Sequence, residues 1–230
     1  MTQRPTGIFV TGTDTGVGKT FVSVWLVKAL VRQGLRVSVM KPIASGSERT
    51  AAGLRNSDAL ALAAASNVAA PYATINPYCF EPAISPHIAA EEARIDVDLR
   101  VIKQSFETLA VGADRVVVEG AGGWYAPINE SQAMADLPKL LHVPVLLVVG
   151  LRLGCLNHAL LTKRAIEAQG AVFAGWVANS IDPALERPAQ NLSSLELRLG
   201  REPLAVFPFE PDAPSAARCG EQLARGLARS

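Results

Sequence analysis

The stretch GIFVTGTDTGVGKT, residues 7–20, constrains this chain more than any other. An apolar run, Ile8-Phe9-Val10, enters a glycine-rich turn that closes on Gly18-Lys19-Thr20, and a helix-patterned segment follows at once. Gly12, Gly16 and Gly18 can adopt positive φ and let the backbone approach an anion closely. Successive N–H groups of such a turn point inward, and the positive end of the following helix adds to their field. Lys19 reaches outer phosphates as a point charge, and the Thr20 hydroxyl suits Mg2+, which borrows phosphate oxygens and keeps several waters. Gly12 and Gly18 bracket five residues, where the common phosphate loop has four, so the strand before and the helix after must support the assignment. A ligand-free glycine turn, the competing reading, leaves Gly-Lys-Thr at the helix start unexplained.

The rest of the chain repeats that strand–helix alternation. Candidate strands are Ile8–Thr11, Arg36–Met40, Arg115–Glu119, Val143–Gly150, Ala174–Asn179 and Leu204–Phe207. Four of these are apolar almost throughout, without alternation, as expected of parallel strands buried on both faces. Val22, Trp25, Leu26, Ala29 and Leu30 share one face of the first helix, which Gln33-Gly34 ends. Further helices are expected over 97–111, 154–169, 189–199 and 216–228. Residues 71–86, rich in proline and aromatics, read as an ordered loop. The pattern predicts an α/β fold: a doubly wound, mostly parallel sheet with helices on both faces, of the P-loop NTPase type, forming one domain over residues 1–230.

Composition limits the partners. Lys plus Arg number 22 and Asp plus Glu 21, giving no global attraction to nucleic acid or to an anionic membrane. Three widely spaced cysteines form neither a disulfide framework nor a metal spacing. Residues 1–5 show no signal peptide, and the apolar run 143–151 contains Pro144 and is too short to span a bilayer. The expectation is a cytoplasmic protein.

The informative polar residues follow strands, on the edge where this architecture binds ligands. Lys41 follows the second strand, either aimed at the phosphates or solvated like most lysines. Ser45 lies in a small-residue loop that also reads as a plain turn. Ser57 or Asp58 suits the cap of the helix over 59–65, and as a metal ligand Asp58 needs a partner. Glu119 is that candidate: a carboxylate closing a buried strand is costly unless paired or metal-bound. Gly120-Ala121-Gly122-Gly123 permits close backbone approach after it. The helix start near Gly154 and Asn157 is a natural anion site, while Cys155 and His158 read as packed residues. Asn179 either bonds a base or closes a turn.

Together, Thr11-Gly12-Thr13-Asp14-Thr15-Gly16-Val17-Gly18-Lys19-Thr20, Lys41-Pro42-Ile43-Ala44-Ser45-Gly46, Gly53-Leu54-Arg55-Asn56-Ser57-Asp58-Ala59, Asn76-Pro77-Tyr78, Ser85-Pro86-His87, Glu119-Gly120-Ala121-Gly122-Gly123-Trp124, Leu153-Gly154-Cys155-Leu156-Asn157-His158 and Gly175-Trp176-Val177-Ala178-Asn179 resemble the dethiobiotin synthetase family, in family order. The resemblance implies ATP-dependent closure of the ureido ring of 7,8-diaminononanoate with CO2, through a carbamate and a carbamic–phosphoric anhydride. It implies that Lys19, Lys41 and Thr15 are catalytic and that Ser45, Gly154 and Asn157 hold the substrate. Thr20, Asp58 and Glu119 would gather Mg2+. ATP would also meet Gly16, Val17, Gly18, Phe21, Gly120, Ala121, Gly122, Asn179, Pro208, Phe209 and Glu210. A homodimer with the substrate site near its interface is implied as well. Gly16 stands where one form of the loop has Glu, so no acidic loop role transfers. The alternatives are a cobyrinate amidase-like synthase, which would usually carry a glutaminase domain, and a partner-binding nucleotide switch, which commonly has an early loop lysine where this chain has Thr13.

Overall fold

The structure, a computed structural model, describes residues 7–229. The reading of residues 1–5 lies outside them. β1 (Gly7–Gly12) leads through the glycine loop into α1 (Lys19–Arg32), and β2 (Val37–Met40) follows. Short elements come next: β3 (Ile43–Ala44), β4 (Glu48–Thr50), β5 (Gly53–Arg55), α2 (Ser57–Ala65), α3 (Tyr72–Ile75), β6 (Tyr78–Cys79) and α4 (Pro86–Glu92). Longer elements then resume with α5 (Leu99–Ala110), β7 (Arg115–Glu119), α6 (Asp136–Leu141), β8 (Val145–Leu151) and α7 (Cys155–Ala168). The chain continues through β9 (Phe173–Ser180), α8 (Pro188–Leu199), β10 (Val206–Phe207) and α9 (Ala213–Leu227).

Six strands form one parallel sheet in the order β10-β9-β8-β1-β7-β2. Burial on both faces is visible within β8: Leu146 and Val148 enter one apolar cluster, Leu147, Val149 and Leu151 another. After β1 the chain passes to β2, returns to β7, then crosses to β8 on the other side of β1. The winding therefore reverses around β1, and the crevice beyond its carboxyl end is where such sheets bind ligands. The register sets the depth of the site. Val10 pairs with Glu119, Gly12 with Val148, and Met40 with Val118, so Lys41, one residue further on, stands level with Glu119.

Several boundaries shift. The second, fourth and last expected strands begin later than their apolar patterns, at Val37, Val145 and Val206. The expected loop over 71–86 contains α3, and its Tyr78–Cys79 pairs with Ile43–Ala44 as a separate two-stranded sheet. The short elements β3 to β5, α4 and α6 had no periodic signal long enough to read.

Candidate functional site

The glycine loop joins the central strand to α1. Gly16 and Gly18 have φ of 73° and 85°. Gly12 departs from expectation: it closes β1 without positive φ, and is needed because a Cβ there would lie 2.6 Å from Val17 Cγ2. Val17 is buried, and its carbonyl accepts a hydrogen bond from Asn179 Nδ2 at 2.9 Å. Asn179, at the end of β9, thus clamps the loop. The backbone NH of exposed Thr15 donates to Asp14 Oδ1 at 2.7 Å. Lys19 is largely buried, and its ammonium donates to the Asp14 carbonyl at 2.9 Å. Burial, then repulsion from Lys41, pulls the Lys19 pKa down to about 8.

Lys41 is buried, only 3% exposed, so the solvated-lysine reading is overturned. Its Nζ donates to Glu119 Oε1 at 2.6 Å, Asp58 Oδ2 at 3.0 Å and the Gly120 carbonyl at 3.2 Å. Burial opposes this ammonium, but the charges of Glu119 and Asp58 outweigh it and hold its pKa above the usual lysine value. At Asp58 burial likewise disfavours the charge, and Lys41 overcomes it to keep the carboxyl below its ordinary value. Thr20 Oγ1 donates to the same Glu119 Oε1 at 2.7 Å. Four side chains from the first turn of α1, β2's end, α2 and β7 therefore converge on one point.

Asp58 is free for this pairing because it does not cap its helix. Neither does Ser57. Asn56 precedes α2, and its Oδ1 accepts from the NH groups of Asp58 and Ala59 at 3.1 and 3.2 Å. The same amide donates to the Ser45 carbonyl at 3.3 Å, tying the loop after β3 to the start of α2.

The set Thr20, Asp58 and Glu119 fits Mg2+. All are hard oxygen donors, and Glu119 Oε2 is buried without a hydrogen-bond partner. No group of three or more His, Cys, Asp or Glu placed to hold a metal occurs among the described residues, so a metal here would draw on the Thr20 hydroxyl and on ligand oxygens.

The other expected residues line the same edge. A Cβ on Gly122 would come within 3.8 Å of Thr15 Oγ1, and one on Gly120 within 2.9 Å of Phe9 Cζ, so this segment lies close against the first strand and its loop. Ala121, between them, packs against the core. Phe21 on α1 stacks edge-on against Phe207, which pairs with Asn179. Pro208, Phe209 and Glu210 follow directly and are exposed. Gly154, with φ of 92°, and exposed Asn157 mark the start of α7. One contact was not legible as part of the site. Arg152, at the exit of β8, pairs with Asp14 through Oδ2 and ties that strand's end to the loop. Nothing in the spacing of residues 14 and 152 signals it.

A cavity of about 1040 Å3 lies at the opposite, amino edge of the sheet, lined by Gly7, Pro144, Gly170 and Phe173 among others. None of the converging polar groups reaches it.

A glycine loop feeding a helix at the winding reversal, with a buried lysine and a strand-end acid beside it, defines a P-loop nucleotide-binding protein. A family model described as an AAA domain matches residues 6–216. The chain belongs to the dethiobiotin synthetase family: it is 48% identical over 97% of its length to all of the "ATP-dependent dethiobiotin synthetase BioD" of Xanthomonas oryzae pv. oryzae, and 49% identical over 91% of its length to 92% of the protein of that name from Pseudomonas paraeruginosa. Among solved structures, the MinC:MinD cell division protein complex of Aquifex aeolicus aligns with TM-score 0.61 at 17% identity, over 97% of this chain and 96% of that one. A ParA family ATPase from Chlorobium tepidum aligns with TM-score 0.56 at 12% identity, over 98% of both chains. At such identities these likenesses show the fold alone. No described helix is long and apolar enough to cross a membrane.

Proposed function

We propose that this chain is an ATP-dependent dethiobiotin synthase, acting as one nucleotide-binding domain in a cytoplasmic homodimer. It closes the ureido ring of 7,8-diaminononanoate with CO2, yielding dethiobiotin, ADP and phosphate. The observation that carries this reading is the convergence of Lys41, Asp58, Glu119 and Thr20 beside the Lys19 loop, in a chain closely related to enzymes of that name.

One substrate amine adds CO2 and gives a carbamate. A carbamate oxygen takes the γ-phosphoryl group of ATP and ADP leaves. The second amine attacks the carbonyl carbon, and phosphate departs as the ring closes. Phosphoryl transfer asks mainly for positioning and charge neutralisation. Carbamate and triphosphate are both anionic and repel each other unless cations lie near both. Lys19 serves the outer phosphates from the loop, Lys41 serves the carbamate from β2's end, and Thr15 donates to one of them. Thr20, Asp58 and Glu119 would hold Mg2+, which would supply further neutralisation of the triphosphate. The NH groups over Gly16, Val17 and Gly18 cradle the phosphates. Gly120, Ala121 and Gly122 flank the nucleotide, and Phe21 lies beside it. With its Nδ2 on Val17, Asn179 reads adenine through Oδ1, helped by backbone at Pro208, Phe209 and Glu210. Ser45 holds the diamine, and Gly154 and Asn157 of the second subunit receive its carboxylate.

Incubation with labelled bicarbonate, diaminononanoate and MgATP tests the proposal. Labelled dethiobiotin is the expected product, and an unlabelled ring rejects it.

A further inference from the structure

We infer that Tyr72 is a positioning residue, the keystone of a closed hydrogen-bonded circuit that holds Lys41 by both its backbone and its side chain. The circuit uses residues outside the nucleotide loop. The Lys41 carbonyl accepts from Asn76 Nδ2 at 2.7 Å. Asn76 Oδ1 accepts from the Tyr72 hydroxyl at 3.0 Å. The Tyr72 oxygen in turn accepts from the Asn56 backbone NH at 2.7 Å. Asn56 Oδ1 accepts from the Asp58 NH at 3.1 Å, and Asp58 Oδ2 accepts from Lys41 Nζ at 3.0 Å, closing the loop of contacts.

Each link is specific. Asn56 and Asn76 are both buried, so an unpaired amide at either position is costly. Asn76 Nδ2 also bonds the Tyr78 carbonyl, and the Lys41 NH donates to the Ile75 carbonyl at 2.8 Å, so α3's end grips the backbone on either side of the Lys41 α-carbon. A phenol needs one partner to be satisfied. Tyr72 has two close ones of opposite sense, donating to one segment and accepting from another, with the Cys79 sulfur a longer third contact at 3.8 Å, and so couples α3 to the start of α2. The Arg55 guanidinium lies 4.2 Å from the centre of its ring and fixes its face. Burial pushes the Tyr72 phenol up to about 12, so the hydroxyl keeps the proton it donates. The bland alternative is a loop tied down by local bonds. It does not require the path to return to the ammonium that the reaction uses.

The kinetic part of this inference rests on the proposed ring closure; the chemical part does not. Tyr72→Phe deletes the hydroxyl and keeps the ring. With two hydrogen bonds lost, Lys41 in the nucleotide-free enzyme should be acylated by acetic anhydride about tenfold faster than in the wild type, read by peptide mass spectrometry against Lys103. In the dethiobiotin assay kcat should fall about tenfold while KM for ATP stays within about twofold, because the nucleotide loop is untouched. Tyr78→Phe is the control: its hydroxyl bonds the Asp98 backbone, outside the circuit, and both readouts should stay at the wild-type level. Wild-type labelling of Lys41 in Tyr72→Phe overturns the inference. So does an equal effect of Tyr78→Phe, which would show that any loosening of this segment suffices. If the wild type makes no dethiobiotin, the proposed function fails, and the labelling comparison still decides the circuit.

Discussion

Lys41 Nζ stands 2.6 Å from Glu119 Oε1, a carboxylate with no exposed surface. Burial makes each of these charges depend on the other, although Lys41 keeps Asp58 as a second acidic partner. Removing one partner from a buried pair typically costs about 3–5 kcal/mol, whereas removing both is often nearly neutral. Glu119→Gln should therefore lower unfolding free energy by about 3 kcal/mol. Lys41→Met should cost a similar amount, and the double variant clearly less than the sum. Chemical denaturation of the four proteins checks this, and additive costs would show that the two charges are independent. Both single variants should also lose ring formation, and Glu119→Gln should weaken Mg-nucleotide binding.

The Lys19 ammonium carries a pH dependence whose sign is fixed by its environment. Its folded pKa, about 8, lies below the ordinary 10.5, so between those values the folded chain binds fewer protons than the unfolded one. For this group, stability rises with pH across that window and its burial cost is fully present below about pH 8. A bound triphosphate restores the ammonium, so nucleotide binding near pH 8 should take up about half a proton. Calorimetry in buffers of different ionisation heat measures that uptake directly. Affinity should weaken as pH climbs above 8, and pH-independent binding without proton uptake would contradict the assignment.

The pairing of Arg152 with Asp14 separates stability from function. Both side chains are partly exposed, so the bond itself is worth at most about 1 kcal/mol. It nevertheless anchors the loop whose Asp14 carbonyl receives Lys19. Arg152→Ala should leave the melting temperature within about 3 °C of wild type while weakening nucleotide binding several-fold. Fluorescence titration and a thermal melt on the same preparation test the split.

These pairings show where sequence stops being informative. The glycine loop, Lys41 and Glu119 were legible because each stands where a strand's apolar run ends abruptly, and the fold class followed from strand–helix alternation. The role of Asn56 was hidden: Asn, Ser and Asp are all good caps, and three adjacent candidates offer no local reason to prefer one. The structure gives the cap to Asn56 and releases Asp58 to Lys41. Asn179 offered a base contact or a turn on local grounds, while its contact with Val17 spans 162 residues and leaves no trace in spacing. The short strands β3 to β6 are two or three residues long, too brief for any period to show.

The loop glycines differ in why they are glycines, and alanine substitution should tell them apart. Gly16 has φ of 73° and no atom within 4 Å of where a Cβ would stand, so Gly16→Ala meets only the left-handed backbone cost of about 1–2 kcal/mol. Gly18 has φ of 85°, and a Cβ there would collide with Asn179 Nδ2, the donor that clamps the Val17 carbonyl. Gly18→Ala carries the same backbone cost and must also expel Asn179 from its place at the end of β9. It should abolish detectable nucleotide binding, whereas Gly16→Ala should retain binding weakened by about tenfold at most. Adding Asn179→Ala to Gly18→Ala removes the colliding amide and should recover part of the lost thermal stability without recovering tight binding, because the clamp is gone. Equal binding by the two single variants would show that Asn179 does not hold the loop in its nucleotide-ready shape.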